Sequence, residues 1–444
     1  MVAGSAGLAA LAFPPAGWWP LALLAWWPFW VGIHGAGGLH GFRLGLLHGL
    51  LLYAFTLTWL WNIFGPLAMG LWLILAAFIG LAAALFGAVS AGKSAKWWLP
   101  VFAATSWTGI EFFRSEWFYL SFPWITPGTA IGPTALSPLS GVYSATFLII
   151  FAACALACRQ RLSGGVAILL LSALVLWRPV AEPCRTDDLV PVAAVQGESL
   201  DFLSYLEMTR DAGISSATVV WPEYAAMYFA GPSGNPWGEA IDLCKERNLI
   251  IVFGTLRHDF TSNPRKFNEA ITVDATGVRG SHVKNRPVHL MNDGEKGVST
   301  LPVTTGSGKL GTPICFDCDT QWVCRQMTGN GAEWIAAPTM DALHWGANQR
   351  LQHAELFRHR AAENDRWIVV AATSGLTRVI DSAGFVRAEL PWPSEGVLRG
   401  NVGRRTNLTP FTRWGWLFGP LCFAGMLATT IAAWAQSRRT DANA

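Results

Sequence analysis

Charged residues are scarce in this chain: 14% are Asp, Glu, Lys or Arg, where a soluble domain carries about a quarter. The net charge is only +3 and no basic run occurs, so nucleic acid is set aside as a partner. No sequence repeat is evident. A basic stretch before Leu8 is also missing, which weighs against reading the first apolar segment as a cleaved secretion signal. Cys315, Cys318 and Cys324 have no fourth ligand at zinc-site spacing, because His344 and His353 lie too far along the chain, so no metal is expected. What is abundant is apolar: 52% hydrophobic residues, 24 of them Trp, with a mean hydropathy of +0.33.

Windows of about 20 residues, the length that crosses a hydrocarbon core, divide the chain. Apolar segments fall near 2–13, 17–33, 43–63, 67–89, 97–113, 140–158 and 164–177, and an eighth at 414–435. They predict a transmembrane bundle over residues 1–180, a polar domain over 185–410 and a C-terminal transmembrane helix. Arg43, the Lys93 and Lys96 pair, Arg159 with Arg161, and Arg438-Arg439 gather on one side of eight spans, while the opposite connections hold only Arg114. Basic loops stay cytoplasmic, so the polar domain is expected on the outer side, the periplasm of a bacterium. Trp18-Trp19, Trp26-Trp27, Trp97-Trp98 and Trp414 to Trp416 suit a membrane interface. Glu111 and Arg114, near a span end, can pair with each other or face headgroups.

Within the polar domain, Val190–Val195, Thr218–Trp221, Leu249–Phe253, Ala270–Val273, Leu310–Ile314, Trp334–Ala337 and Ile368–Ala372 read as buried strands. The stretches 201–211, 237–247 and 349–364 read as helices. This alternation predicts an α/β layered domain large enough to bury its own core.

Three polar positions carry chemistry: Glu223 in Trp221-Pro222-Glu223, Lys284 after Val283, and Cys315 in Ile314-Cys315-Phe316-Asp317. A thiol attacks an ester or amide carbonyl when a base removes its proton. Glu223 can be that base if its surroundings raise its pKa toward neutrality, and Lys284 can stabilise the tetrahedral oxyanion. Taken singly, each has a plainer reading: a small core residue, a helix cap, a solvated charge. Their combination in this order is what points to catalysis.

The order of elements resembles the carbon-nitrogen hydrolase (nitrilase) superfamily, and the whole chain resembles its membrane-embedded branch, the apolipoprotein N-acyltransferase family. The resemblance rests on Val195-Gln196-Gly197, Trp221-Pro222-Glu223, Phe267-Asn268 with Asp274 to Gly277, Gln352-His353 with Arg360 to Trp367, and Val379-Ile380-Asp381 with Gly384. Phe122-Pro123-Trp124 and Gly141-Val142-Tyr143 add to it in the apolar part. It implies a nitrilase-like α-β-β-α sandwich joined to an α-helical transmembrane bundle, a Glu223-Lys284-Cys315 triad and no cofactor. It further implies a multi-pass protein of the bacterial inner membrane. That protein would move an acyl chain from a phospholipid donor through a Cys315 thioester to the α-amine of a diacylglyceryl lipoprotein acceptor.

The family's Pro-Phe-Gly-Glu run after the lysine, with its functionally important glutamate, is replaced. In ungapped register Asn292 takes the glutamate's place, with Asp293 and Glu295 beside it. Phe316-Asp317 replaces Tyr-Glu after the cysteine, and Asp317 resembles soluble nitrilases there. Phe316, Asp317, Asn292 and Glu295 are therefore the expected substrate-binding residues. The altered loop leaves a second expectation open, a membrane-anchored amidase or acyltransferase acting on another substrate, as in the conjugation-associated TraB type. A third, a scaffold or transporter with a dead enzyme domain, is opposed by the intact triad and by spans nearly free of ionisable residues.

Overall fold

In the computed structural model the described residues are 1–92, 97–176, 188–198, 200–230, 236–259 and 265–442. Lys93 and Lys96, and the predicted domain start at 185, lie outside them; so do the side chains of Arg438 and Arg439. The chain divides into two compact units.

One unit comprises Met1–Arg178, Ala347–Gln352 and Trp414–Ala444 and is helical. Among its described residues two helical stretches are long and apolar enough to cross a membrane, Leu67–Ser90 and Gly415–Ala432. The other predicted segments form helices that are shorter or less apolar. Segment 17–33 is divided into Pro20–Leu24 and Trp27–Ile33, each with Pro in its first turn, where the missing N–H costs nothing. Segment 43–63 starts earlier, at Gly38, and breaks between Thr56 and Trp59.

Helices Gly38–Thr56 and Leu67–Ser90 approach closely through small residues: a Cβ on Gly45 would stand 2.6 Å from Ala83 Cβ, and one on Gly49 2.7 Å from Ala76 Cα. Small residues at every fourth position let helix backbones meet in this way. Trp26 is not an outward-facing anchor; it is buried, with its ring 4.9 Å from Trp107 and 5.2 Å from His48. Arg114 is likewise buried, in one π-helical turn at Phe113–Trp117, donating to Tyr53 Oη at 2.8 Å and the Trp124 carbonyl at 3.2 Å. Glu111 accepts from Thr146 at 2.8 Å and Trp107 at 3.2 Å.

The other unit, Pro179–Gly346 with His353–Arg413, holds two sheets. The first contains β1 (Leu189–Gln196), β2 (Thr218–Val220), β3 (Ala226–Ala230), β4 (Ile250–Asp259), β5 (Arg265–Asp274) and β6 (Gly277–Val283). The second contains β7 (Val303–Thr305), β8 (Gly308–Gly311), β9 (Trp334–Thr339), β10 (Ile368–Ala372), β11 (Arg378–Ile380) and β12 (Val386–Glu389); β13 (Gly396–Gly403) returns to the first. The first sheet runs β13-β1-β2-β4-β5-β6 with β3 also on β4, and the second runs β12-β11-β10-β9-β8-β7.

Side-chain alternation, period two along each strand, sorts the core into layers. Val190, Val192, Ala194, Val220 and Val252 meet Trp334, Ala336, Val369 and Ala371 between the sheets. Their neighbours Ala193, Val195, Val219, Ile251 and Phe253 face the opposite way, onto helices Phe202–Asp211 and Gly238–Arg247. Ile335, Ala337, Ile368 and Val370 pack against Phe357 and Ala361 of helix Ala347–Asn364. The result is the α-β-β-α sandwich of the nitrilase type. Burial on both faces explains the continuous apolar runs. Of the strands absent from the sequence reading, β3, β7, β11 and β12 are three to five residues long, while the longer β6 and β13 are largely exposed or half-buried along their length.

Candidate active site

β2 and β3 pair in parallel with the same edge of β4, at Ile250–Val252 and Thr255–Asp259 respectively. The chain between them leaves the sheet at residues 221–225 and turns Glu223 toward the site. Trp221 anchors this turn from the buried side, its indole donating to Thr209 Oγ1 at 3.0 Å. Gly254 faces the turn, its N–H bonded to the Pro222 carbonyl at 3.0 Å. A Cβ there would stand 2.5 Å from Glu223 Cα, so only glycine lets the backbones approach this closely. Gly254→Ala is expected to displace Glu223 and to slow Cys315-dependent turnover by roughly 10–100-fold, the scale of a misplaced reacting group, checked by single-turnover kinetics on folded protein.

Glu223 is buried. Its Oε1 accepts from Lys284 Nζ at 2.8 Å and Asn268 Nδ2 at 2.6 Å, and its Oε2 from the Met340 N–H at 3.1 Å. Lys284, immediately after β6, has its N–H on the Asn268 carbonyl at 2.9 Å. Its ammonium meets a second carboxylate, Asp293 Oδ2, at 2.7 Å. Asp293 also accepts from Asn268 Nδ2 at 2.7 Å, the Val288 N–H at 2.9 Å and the Tyr224 hydroxyl.

One ammonium between two buried carboxylates cannot compensate both fully. Burial, with Asp293 as an added negative neighbour, raises the Glu223 pKa against the pull of Lys284. Burial would raise Asp293 too, but its ion pair and hydrogen bond with Lys284 hold it below the usual carboxylate range. Lys284, although desolvation works against its charge, is raised well above the ordinary lysine value by Glu223 and Asp293. The cluster therefore separates one firmly ionised acid from one that protonates readily.

Cys315 follows β8 and begins a one-turn 3-10 helix, Cys315–Cys318. Its φ of +47 is the left-handed region, sparsely used by non-glycine residues and a mark of sites where surrounding structure fixes a strained turn. Its S–H is directed at the Met340 carbonyl, 3.7 Å away. Met340 thus touches both groups: its N–H holds Glu223 and its C=O faces the Cys315 sulfur. Desolvation, then the negative charge of Glu223, pushes the thiol pKa well above that of free cysteine, so Cys315 rests as a neutral thiol near the Glu223 carboxyl. Cys318 and Cys324 face each other at 3.7 Å, away from this contact. Among the described residues no group of three or more His, Cys, Asp or Glu is gathered as metal ligands are.

The expected substrate-binding residues are placed differently. The ungapped register put Asn292 in the glutamate's position, but Asn292 is exposed with φ +50. That left-handed turn sends the next side chain inward, and Asp293 reaches Lys284. Glu295 is exposed too; with Asn292 it lines an open groove beside His258, Lys266, His289 and Lys296. Asp317 is fully buried, and its carboxylate is occupied internally. It accepts from the backbone N–H groups of Arg286 at 2.7 Å, Asn285 at 2.9 Å and Ile314 at 3.1 Å, and meets His282 Nε2 at 3.0 Å. It fastens the turn that carries Cys315 to the loop after Lys284. Phe316 is half-buried. Sequence reasoning missed Met340 and Tyr224, which act through a backbone amide and a distant carboxylate and carry no local signal.

Two protein families match the chain: "Apolipoprotein N-acyltransferase N-terminal domain" over residues 5–155 and "Carbon-nitrogen hydrolase" over residues 192–406. Apolipoprotein N-acyltransferase of Pseudomonas aeruginosa (strain LESB58) is 26% identical to it, covering 92% of this chain and 90% of the relative. That of Azotobacter vinelandii is 27% identical, covering 97% and 93%, and that of Geobacter metallireducens 26%, covering 98% and 94%. Among solved structures, the Caenorhabditis elegans NitFhit protein aligns with a TM-score of 0.43 at 22% identity, over 49% of this chain and 61% of that one. Saccharomyces cerevisiae Nit3 aligns with 0.41 at 19% identity, over 49% and 90%.

Proposed function

The chain belongs to the apolipoprotein N-acyltransferase family of the carbon-nitrogen hydrolase superfamily, and from that premise we propose that it transfers a phospholipid acyl chain through Cys315 to a lipoprotein's N-terminal amine. The observation that carries the reading is the meeting of Glu223 and Cys315 at Met340, whose N–H donates to Glu223 and whose C=O faces the Cys315 sulfur, with Lys284 on Glu223.

In the first step Glu223 takes the thiol proton as the sulfur attacks the ester carbonyl. The developing oxyanion is stabilised by the Lys284 charge. The tetrahedral adduct collapses, the ester C–O bond breaks, and Glu223 returns its proton to the departing lysophospholipid oxygen. A Cys315 thioester is left. In the second step the α-amine of a diacylglyceryl-cysteine attacks this thioester, Glu223 accepts the amine proton, the C–S bond breaks, and the proton restores the thiol. A carboxylate with a raised pKa serves in both directions.

The test is intact-protein mass spectrometry after incubation with phosphatidylethanolamine vesicles, then with a diacylglyceryl-cysteine peptide. Wild type is expected to gain one acyl mass on Cys315 and pass it to the peptide amine, and Cys315→Ala to gain none. An alkylatable Cys315 that never acquires an acyl group would overturn the lipoprotein reading in favour of an amidase acting on another substrate.

We further infer a multi-pass inner-membrane protein with its sandwich unit in the periplasm. Outward-facing Leu162, Val166, Leu169, Leu170 and Leu176 on helix Arg161–Leu176 and Phe55 on Gly38–Thr56 support it, because such a run of exposed large apolar groups marks a membrane or protein contact. Alkaline phosphatase fused after Gly403 should be active in cells. An inactive but stably expressed fusion would reverse the orientation.

A further inference from the structure

His353 is buried in helix Ala347–Asn364 and sits between two acids from separate segments. Its Nδ1 is 2.7 Å from Asp341 Oδ1 and its Nε2 is 3.0 Å from Asp319 Oδ1. Asp319 directly follows the helical turn that begins at Cys315. Asp341 directly follows Met340, whose amide holds Glu223 and whose carbonyl faces the Cys315 sulfur. The imidazole therefore links the turn that carries Cys315 to the Met340 segment that contacts both Cys315 and Glu223.

We propose that His353 is a positioning residue that, as an imidazolium, clamps these two segments together and cancels one of the two carboxylate charges standing near Cys315. This rests on Cys315 being the nucleophile. Nδ1 is within hydrogen-bond distance of Asp341, and Nε2 stands 3.0 Å from Asp319 Oδ1 without hydrogen-bond alignment; a carboxylate on each side of the ring favours its charged form. Although desolvation opposes charge, Asp341 and Asp319 raise His353 to about 10, which keeps it protonated at neutral pH. Both acids also act on the thiol, each raising its pKa. The charged groups facing the imidazole are Asp319 after the Cys315 turn and Asp341 in the loop after β9. On its own helix the Phe357 ring lies 4.9 Å away, and Arg360 donates to the Asp319 carbonyl at 3.2 Å. Cys315 and Glu223 are reached through Met340, next to Asp341 in the chain, and Lys284 through Glu223.

Charge bookkeeping makes the idea testable. With His353 protonated, the cluster of one cation and two anions carries one net negative charge. His353→Gln leaves two, Asp341→Asn leaves none, and the double variant leaves one. The experiment measures the rate of Cys315 alkylation by iodoacetamide against pH in the detergent-solubilised full chain, with the label located by peptide mass spectrometry and Cys315→Ala as blank.

The pH midpoint is expected to rise by about one unit in His353→Gln, equivalent to about tenfold less thiolate at a fixed pH. It should fall in Asp341→Asn and return toward wild type in the double variant. Midpoints that do not move, even with lowered thermal stability, would reduce His353 to a packing residue and overturn the proposal. If His353→Gln does not fold, Asp341→Asn alone decides, since an unchanged midpoint there also overturns it. The readout needs no acyl substrate, so failure of the acyl-transfer reading would appear separately, as an alkylatable Cys315 that takes up no lipid.

Discussion

Lys284→Met should lower the stability of the folded chain by about 3–5 kcal/mol, the range for removing one partner of a buried ion pair, and abolish acyl-adduct formation. The reason is the pairing of its ammonium with Glu223 at 2.8 Å and Asp293 at 2.7 Å, all three groups buried. Without it, two carboxylates face each other in a dry site. The sign of the pH effect follows from linkage. In wild type Asp293 is held below the ordinary carboxylate range, as Lys284 outweighs the burial that would raise it; its contribution is present above the unfolded pKa and lost as pH falls through the folded one. In Lys284→Met the two carboxylates must instead hold a proton to coexist, so their folded pKa values rise. The variant is then relatively more stable at low pH and loses ground as pH rises. Thermal unfolding of both proteins at pH 8 and pH 5 should show the gap narrowing on acidification. A gap independent of pH would mean that Lys284 does not compensate these acids.

Glu223→Gln is expected to slow Cys315 acylation by roughly 10²–10⁴-fold, the usual worth of a positioned general base, with the fold retained because glutamine can still accept from the Met340 amide. In wild type the acid limb of the rate profile should lie above the ordinary glutamate range, since burial, then the Asp293 charge, raises Glu223 against Lys284. Asp293→Asn removes the competing negative charge. Lys284 then stabilises Glu223 alone, and the acid limb should move to lower pH while the limiting rate falls. Rapid-quench measurement of adduct formation from pH 4 to pH 9 separates the two. An Asp293→Asn limb displaced upward would contradict the shared-ammonium account.

These two predictions depend on a carboxylate that the sequence left ambiguous. Three candidates stood in one loop, Asn292, Asp293 and Glu295, and simple register chose Asn292. The choice turns on a single backbone conformation, the positive φ of Asn292, which asparagine tolerates but which no spacing rule reveals. Asp317 illustrates the same limit: its position after the cysteine suggested contact with substrate, yet four groups from three segments use its oxygens.

By itself the sequence determined what is local or periodic. Short continuous apolar runs marked the strands buried on both faces, long apolar runs marked the helical unit, and the order Glu223, Lys284, Cys315 marked the candidate site. Only tertiary structure decided what depends on residues distant in the chain. It brought Met340 between Glu223 and Cys315, gave Asp293 rather than Asn292 to Lys284, and set His353 between Asp319 and Asp341. Periodicity records which face of an element is buried; it carries no information on which buried polar group meets which, because that is fixed by loop conformation and by the need to satisfy every charge removed from water.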